Sequence, residues 1–428
     1  LQPIPGKTMT KQEDLTVIEA LALVLNRFQP LDAERVPLLD ALGRVLAEPV
    51  IARDSLPPFA NSSMDGYAVR AADLATASRE TLVSLRVIAD IAAGAPSSVD
   101  VVPGTTARIM TGAPLPAGAD AVVPVEDTDE PWRDPARPLP EWVAVGRAVQ
   151  PGDYVRYPGE DIRAGETVLE AGHALRPQEI GVLASLGEAE VVVVRRPRVG
   201  ILATGDELVA VAARLTPGKI RNSNGYAQAA QVRALGGEAV MLGVARDLEE
   251  DVRARLDAGV AAGVDLLISS AGVSVGAYDV VKAVLDHSGS VTFWRVRMRP
   301  GKPLAFGAYR GIPFLGLPGN PVSAMVSFER FARPAILKMA GRRELERPMV
   351  LAQVLEDLRS DGRESYLRAV VTRDEHGYVA TTTGSQGSHI MTSLVRANAL
   401  LVVPEGMTSI RAGTILTALM LDWPPEVF

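Results

Sequence analysis

The sequence contains no cysteine. Disulfides, thiolate zinc sites and cysteine nucleophiles are therefore excluded. Histidine is also scarce, and its four occurrences are far apart, without the paired spacing that zinc ligands show. They are His173, His287, His376 and His389. We expect no zinc-type metal site.

Basic residues are also fewer than acidic ones. The chain has 44 Lys and Arg residues against 51 Asp and Glu residues, which gives a net charge of −7. Proteins that bind a nucleic-acid backbone usually present a strongly basic face, so we expect no nucleic-acid partner. An anionic ligand would have to be held by local basic side chains and backbone amides.

Long apolar runs are missing. The longest uncharged stretch of near-bilayer length, residues 311–328, contains three prolines and an asparagine, which favours a strand, a turn and a helix start over a membrane span. Residues 1–10 show no apolar core of a signal peptide. We therefore expect a cytoplasmic protein that has no membrane partner.

Hydrophobic residues make up 47% of the 428 residues, which is enough for more than one core, and 38 glycines and 31 prolines predict many turns. Changes in the sequence pattern divide the chain into four regions. They are a discontinuous N-terminal helical and linker domain over 1–53 and 151–190, a β-rich inserted domain over 54–150, an α/β domain over 191–344 and a C-terminal β-domain over 345–428. Near the start, Thr16 and Glu19 predict the capping box of a helix.

The third region alternates strands with helices, which is typical of a mainly parallel sheet covered on both faces. The predicted strands cover residues 199–203, 238–244, 264–269, 291–298, 304–306 and 314–317, and the predicted helices 225–235, 248–262, 278–287 and 322–339. Ligands bind such sheets beyond the carboxyl ends of the strands. We expect the segments that follow the strands to meet at one edge; they are 204–208, 246–247, 270–279 and 318–321.

Three carboxylates follow strands at that predicted edge, namely Glu207, Asp247 and Asp279. Carboxylate oxygens suit Mg²⁺, which keeps waters and substrate phosphates as further ligands. Taken singly, each is more often a helix N-cap or a first-turn acid. Three of them at one edge favour a site.

Segment 270–279 is rich in small residues and precedes a helix, so its backbone amides could cradle an anion. A plain tight turn is the alternative, and the absence of Gly-Lys-Ser/Thr excludes a Walker loop. Farther along, Arg295, Arg297 and Arg299 alternate and so share one face of a strand, with Lys302 close behind. These side chains could meet an anion, or form the solvated face of an edge strand.

Asp65 lies in a turn-rich stretch that by itself indicates only an ordered loop. Together with eight further stretches, however, it resembles the molybdopterin molybdenumtransferase family, of the MoeA and gephyrin E-domain type. The matching stretches lie in order and span nearly the whole chain. They are 57–69, 108–116, 159–161, 204–208, 222–237, 269–279, 299–303, 316–324 and 384–389.

The resemblance implies an elongated homodimer of four-domain subunits, with a third domain similar to the adenylyltransferases of the same pathway. The implied activity is Mg²⁺-dependent insertion of molybdate into adenylated molybdopterin, which gives molybdenum cofactor and AMP. Both substrates are small molecules, and other enzymes of the pathway could be partners. We expect the site to combine the third domain of one subunit with the second domain of the other.

The resemblance also assigns roles to residues at the matching positions. The functional acids and threonine would be Asp65, Thr111, Asp161, Glu207, Asp247 and Asp279, with Asp247 and Asp279 as Mg²⁺ ligands. The substrate-binding residues would be Ser270, Gly272, Ser274, Gly276, Arg295, Arg299, Lys302, Pro318, Gly319, Arg368 and Ser388. Within that set, the resemblance implies an oxyanion at Lys302, Arg368 and Ser388, and the phosphates of the pterin at Arg295 and Arg299.

The sequence departs from the family pattern at two places. Ala271 stands where the family more often has glycine, and Arg295 and Arg299 stand where it usually has lysine, which keeps the charge but favours bidentate contacts. Two other functions stay open. One is a molybdopterin adenylyltransferase, which would leave the Asp65, Asp161 and C-terminal motifs unexplained. The other is a non-catalytic scaffold or binding paralogue.

Overall fold

The computed structural model describes residues 14–95, 98–130, 138–270, 280–281, 283–285 and 289–423. These residues form two compact units. The first takes the described chain up to Ala47, Gly172–Arg176 and the chain from Val191 onward, and the second takes Glu48–Ala171 and Pro177–Glu190. The four-domain division made from the sequence stays a prediction.

A seven-stranded sheet lies at the centre of the first unit. Its strands, in spatial order, are Asp14–Leu15, Gly289–Val296, Pro303–Tyr309, Ile312–Leu317, Leu266–Ser270, Arg198–Thr204 and Glu238–Ala245. The last four pair in parallel, whereas Pro303–Tyr309 is antiparallel to both of its neighbours. The expected mainly parallel sheet is confirmed, with one antiparallel strand in it.

Helices cover both faces of this sheet. On one face, the helices Val17–Leu25, Ser223–Ala234, Pro321–Ser327 and Arg333–Met339 border one apolar core. On the other face, Glu249–Ala261 and the apolar side chains of Val281, Val284 and Leu285 border a second core. A π-helical turn, Phe328–Ala332, interrupts what the sequence predicts as one helix over 322–339.

Local signals set several of these boundaries. The Thr16–Glu19 capping box is present, since the Glu19 amide donates to Thr16 Oγ1 at 3.2 Å and the Thr16 amide donates to Glu19 Oε2 at 2.9 Å. Asn222 caps the next long helix by accepting from the Gly225 amide at 3.0 Å. Each cap satisfies backbone donors that the first turn leaves open.

The end of the first unit is a β-barrel. Its sheet runs in the order Met298–Arg299, Glu364–Asp374, Gly377–Thr382, Met349–Val354, Ile415–Met420 and Ala399–Val403. Ala399–Val403 also pairs with Glu364–Asp374, which closes the last five strands around an apolar core. The expected C-terminal β-domain is therefore confirmed.

Shorter elements complete the first unit. Paired strands are Ala33–Pro37 with Glu190–Val194, Leu208–Val209 with Ile220–Arg221, and Leu358–Arg359 with Ser409–Ile410. A 3₁₀ turn covers Leu38–Ala41 and a short helix Thr392–Arg396. No helix in the described part of the chain is long and apolar enough to cross a membrane.

The second unit is built on a five-stranded sheet. Its order is Ala121–Pro124, Gly66–Val69, Thr105–Ile109, Val83–Ile91 and Trp142–Val145. The strand Gly66–Val69, second in this order, is buried along its whole length, between two apolar cores. Further elements are the paired strands Asn61–Ser62 with Val155–Arg156 and Val50–Ile51 with Thr167–Leu169, the 3₁₀ turns Ala71–Leu74 and Val125–Asp127, and the helix Pro177–Ser185.

Gly66 is the residue of this sheet that tolerates a side chain least. A Cβ atom there would lie 2.0 Å from the carbonyl oxygen of Val123 and 3.1 Å from Cα of Pro124, both in the neighbouring backbone. We expect Gly66→Ala to lower the free energy of unfolding by about 1–3 kcal/mol or more, because the strand pairing must shift. Thermal or denaturant unfolding measures this loss.

Gly181→Ala is the matched control in the same unit. Gly181 lies inside the helix Pro177–Ser185, and nothing stands within 4 Å of an added Cβ. Alanine is the better helix former by about 0.5–1 kcal/mol, so this change should leave the stability equal or raise it. Equal stability of the two variants would contradict the close packing at Gly66.

Candidate functional site

A cavity of about 610 Å³ lies where the parallel strands of the first unit end. Thr204 and Ser270 close two of these strands, and Pro318 and Gly319 follow a third. Glu207 also lines this strand-end cavity. The structure thus brings four of the predicted site residues, Glu207, Ser270, Pro318 and Gly319, to one place.

Three polar atoms in the wall of the strand-end cavity are unsatisfied by the described part of the chain. Thr204 Oγ1, Asn224 Oδ1 and Ser270 Oγ are buried and make no hydrogen bond within the described residues. A buried polar atom without a partner costs roughly 1–3 kcal/mol. A ligand that supplies donors and acceptors at these three atoms would remove that cost.

Two hydrogen bonds hold the walls of the cavity together. Asn224 Nδ2 donates to the carbonyl of Gly319 at 2.7 Å, which ties the start of one helix to the Pro318–Pro321 loop. The Val322 amide, in the first turn of the helix after that loop, donates to the carbonyl of Ser388 at 3.0 Å. The next residue, His389, lines the cavity. A loop of the C-terminal barrel therefore forms part of its wall.

A second cavity of about 400 Å³ adjoins the first, because Ser323 lines both. We name it the Arg368 cavity. Four predicted substrate-binding residues line it together, namely Arg299, Lys302, Arg368 and Ser388. The Lys302 side chain is half-buried and makes no ion pair within the described residues.

Arg368 is the most unusual side chain of this cavity. It is only 1% exposed, and its guanidinium donates to Ser393 Oγ at 3.0 Å and to the carbonyl of Gly387 at 3.2 Å. It has no carboxylate partner among the residues that the structure describes. Burial, with a smaller contribution from the neighbouring Arg299 cation, lowers the pKa of Arg368 to about 10. A buried cation without a counter-charge is stabilised by a bound anion.

The three alternating arginines share the exposed side of their segment, as expected, but have different partners. Arg295 lies 3.4 Å from Asp14 and lines neither cavity. Arg297 pairs with Glu405 at 2.5 Å. Arg299 alone lines the Arg368 cavity, where it stands 3.5 Å from Asp361.

The structure describes one of the two predicted metal ligands, Asp247. Asp247 is half-buried; its amide donates to Asp206 Oδ1 at 3.3 Å, and its own Oδ1 is buried without a hydrogen-bond partner. No group of three or more Asp, Glu or His side chains able to hold a metal occurs within the described ranges. Asp279 lies outside these ranges, as do Gly272, Ser274, Gly276 and Ala271. Since Mg²⁺ needs only one or two carboxylates beside substrate phosphates, the unpartnered Asp247 oxygen fits such an ion.

Asp65 and Thr111 meet in the second unit. The Thr111 amide and Thr111 Oγ1 both donate to Asp65 Oδ1, at 2.7 and 2.8 Å, and both residues are exposed. Asp161 is exposed as well, and its amide donates to the carbonyl of Leu56 at 3.0 Å, just before the stretch that contains Asp65. This unit thus presents an oriented carboxylate and hydroxyl to solvent.

Several wall residues were not assigned to the site from the sequence. They are Thr204, Asn222, Asn224, Asn320 and His389. A sequence signal is present, because Thr204 and Asn320 lie in segments that follow predicted strands, and Asn222, Asn224 and His389 lie in stretches that carry the family resemblance. The unsatisfied side-chain atoms of Thr204 and Asn224 become apparent only in three dimensions.

Comparison with known proteins gives one consistent result. Three family models match in chain order: the MoeA N-terminal region (domain I and II) over residues 15–187, a probable molybdopterin binding domain over 200–338 and the MoeA C-terminal region (domain IV) over 352–421. A solved structure, the molybdopterin biosynthesis moea protein from Pyrococcus horikosii, superposes with a TM-score of 0.79 at 30% identity. It covers 96% of this chain and 100% of that one.

Curated relatives agree with this result. Molybdopterin molybdenumtransferase 2 of Mycobacterium tuberculosis (strain ATCC 25618 / H37Rv) is 42% identical over 388 residues, 89% of this chain and 93% of that protein. Molybdopterin molybdenumtransferase of Haemophilus influenzae is 36% identical over 94% of this chain and 98% of that protein, and that of Bacillus subtilis 36% identical over 98% of both. The chain therefore belongs to the molybdopterin molybdenumtransferase family.

Proposed function

We propose that this protein inserts molybdate into adenylated molybdopterin and releases AMP, with Mg²⁺ as cofactor. The observation that carries the proposal is the pair of adjoining cavities that share Ser323. Among the residues that the structure describes, one cavity presents three polar atoms without a hydrogen-bond partner, and the other presents a buried guanidinium without a carboxylate partner. Such a pair suits a reaction that joins an organic phosphate compound to a separate oxyanion.

The strand-end cavity is proposed to hold the adenylated pterin. Its volume of about 610 Å³ lies within the usual range of small-molecule sites. Thr204, Asn224 and Ser270 offer hydrogen-bonding atoms to the heterocycles or the phosphates. The Glu207 side chain makes no hydrogen bond within the described residues, so its carboxylate is free to accept from a substrate donor.

The Arg368 cavity is proposed to hold molybdate. Molybdate is a dianion, and Lys302 and Arg368 supply two positive charges that have no carboxylate partner in the described structure. Arg299 stands beside Arg368, where it can contact either the oxyanion or the phosphates of the neighbouring substrate. Fixed cations of this kind stabilise charge without reorganising during the reaction.

Mg²⁺ is proposed to be held by Asp247, together with Asp279. When bound, it would supply Lewis-acid polarisation of the phosphoanhydride oxygens. The chain's own contribution is to orient one Asp247 oxygen to which no donor of the described residues hydrogen-bonds. The nearby Asp206 carboxylate accepts from the Asp247 amide and so fixes the backbone of that loop.

Asp65, Thr111 and Asp161 are proposed to complete the site from the partner subunit of a homodimer in the cytoplasm. The support is chemical: Thr111 directs two donors at one Asp65 oxygen, which leaves the second oxygen available for a substrate. Because these residues belong to the second unit and the two cavities to the first, one subunit would bind the substrates while the other contributes this carboxylate.

Anaerobic turnover with adenylated molybdopterin and molybdate tests the proposed function directly. We expect molybdate-dependent release of AMP and a product that reconstitutes an apo-molybdoenzyme. Formation of adenylated product from molybdopterin, ATP and Mg²⁺ without molybdate would instead identify an adenylyltransferase. Binding of both substrates without any turnover would identify a binding paralogue.

Arg368→Ala should raise the molybdate concentration that gives the half-maximal rate. Losing one charge-assisted contact costs roughly 1.5–3 kcal/mol, which corresponds to about 10–150-fold in affinity. Affinity for adenylated molybdopterin should hardly change, and excess molybdate should restore the rate. Steady-state kinetics in molybdate measures the shift.

Two further variants make this result interpretable. Lys302→Ala removes a half-buried cation that has no ion pair to lose, so it should show the same molybdate effect without unfolding. Arg411→Ala removes an exposed arginine of the same barrel, and it should change nothing. If Arg368→Ala weakens pterin binding and leaves the molybdate dependence untouched, the Arg368 cavity serves the pterin instead.

Mixing two inactive variants tests the shared site. Asp65→Ala and Glu207→Ala subunits are each expected to form inactive homodimers. After random exchange half of the dimers are mixed, and each mixed dimer has one intact site of two, so activity should return to about a quarter of the wild-type value. AMP release before and after mixing measures this. Demonstrated exchange without recovered activity would place both residues in a site within one chain.

A further inference from the structure

A second group of arginines surrounds a cavity of about 500 Å³ in the first unit, which we name the Arg342 cavity. Pro197, just before the strand Arg198–Thr204, and Gly236, just before Glu238–Ala245, line it. The cavity therefore lies at the amino ends of these strands, opposite the substrate cavities. Six arginines and one glutamate line it: Arg44, Arg195, Arg196, Arg233, Arg333, Arg342 and Glu344.

Three of these arginines have acidic partners. The pairs are Arg44 with Glu34, Arg195 with Asp265 and Arg333 with Glu329. The Arg195–Asp265 pair is bidentate, with N–O distances of 2.8 and 2.5 Å, so it is firmly held. Arg333 is less well satisfied, because its contact to Glu329 is 3.8 Å and its Nε is buried without a hydrogen-bond partner.

The other three arginines make no ion pair within the described residues. Arg196 and Arg233 are exposed at the cavity, and no side-chain hydrogen bond is formed by either of them there. Arg342 is half-buried, and its guanidinium donates to the carbonyl of Gly43. Like charges that gather in one cavity without acidic partners repel one another, and burial makes each cation costlier.

The two more buried guanidiniums of this cavity, those of Arg333 and Arg342, have lowered pKa values. Burial lowers the pKa of Arg342. Burial lowers the pKa of Arg333 too, and the Arg347 cation adds to this effect. The cavity thus has two desolvated guanidiniums in its walls and two unpaired ones that water can reach. An anion bound among them would relieve both the desolvation and the repulsion.

We propose that the Arg342 cavity binds a compound that carries a diphosphate group. Guanidinium forks match phosphate oxygens, and the unpaired arginines come from separate segments of the wall, so a ligand with several anionic oxygens can contact them at once. A volume of about 500 Å³ is ample for such a ligand. Inorganic pyrophosphate and a nucleoside diphosphate share this chemistry.

Calorimetric titration of the full chain with pyrophosphate and with ADP, at constant ionic strength, tests the proposal. The test variant is Arg196→Gln/Arg233→Gln, because both side chains are exposed and unpaired and their loss should not affect folding. The control is Arg396→Gln/Arg411→Gln, which removes the same charge from exposed positions of the barrel region. Thermal unfolding checks that all proteins are equally folded.

We expect the test variant to bind pyrophosphate and ADP about tenfold or more weakly at one site per chain, while the control binds like the wild type. If pyrophosphate or ADP also binds, more weakly, at the substrate cavities, that second binding should be unchanged in the test variant and absent in Lys302→Ala. A loss of ADP binding alone would assign a nucleoside diphosphate. Unchanged binding of both ligands, or an equal loss in the control, would overturn the proposal.

Discussion

The parallel pairing of four neighbouring strands is the constraint on which the rest of the first unit depends. Because Glu238–Ala245, Arg198–Thr204, Leu266–Ser270 and Ile312–Leu317 run the same way, their carboxyl ends open on one edge and their amino ends on the other. The polar side chains that follow the strands are thereby gathered at the strand-end cavity, although they are distant in sequence. Apolar burial on both faces of the sheet makes this arrangement rigid.

A second constraint on the first unit is the burial of the Arg368 guanidinium. The buried Arg368 guanidinium has lost its hydration and donates hydrogen bonds to the Ser393 hydroxyl and the Gly387 carbonyl. Neither acceptor carries a full negative charge. A closed barrel can hold such a group because its other core residues stay well packed. Burying this cation costs local stability, which the lowered pKa of Arg368 reflects, and under the proposed function a bound oxyanion would offset that cost.

Much of the fold was readable from the sequence, because its signals are local. The Thr16–Glu19 capping box, the alternation of strands and helices and the small C-terminal β-domain follow from spacing and turns. The hydrogen bond between the Ser388 carbonyl and the Val322 amide depends on tertiary packing, so no local sequence pattern predicts it. The same holds for Arg295, whose ion pair joins it to Asp14, far away in the sequence, and for the π-helical turn at Phe328–Ala332.

The hydrogen bond from the Val322 amide to the Ser388 carbonyl has a consequence for how the two cavities behave together. It joins the helix that borders the strand-end cavity to the loop that borders the Arg368 cavity, so neither wall can move without disturbing the other. In the proposed function, a ligand that orders one wall would therefore also restrict the other. Thermodynamic linkage makes this reciprocal: by whatever factor an oxyanion raises the affinity for the organic ligand, that ligand raises the affinity for the oxyanion.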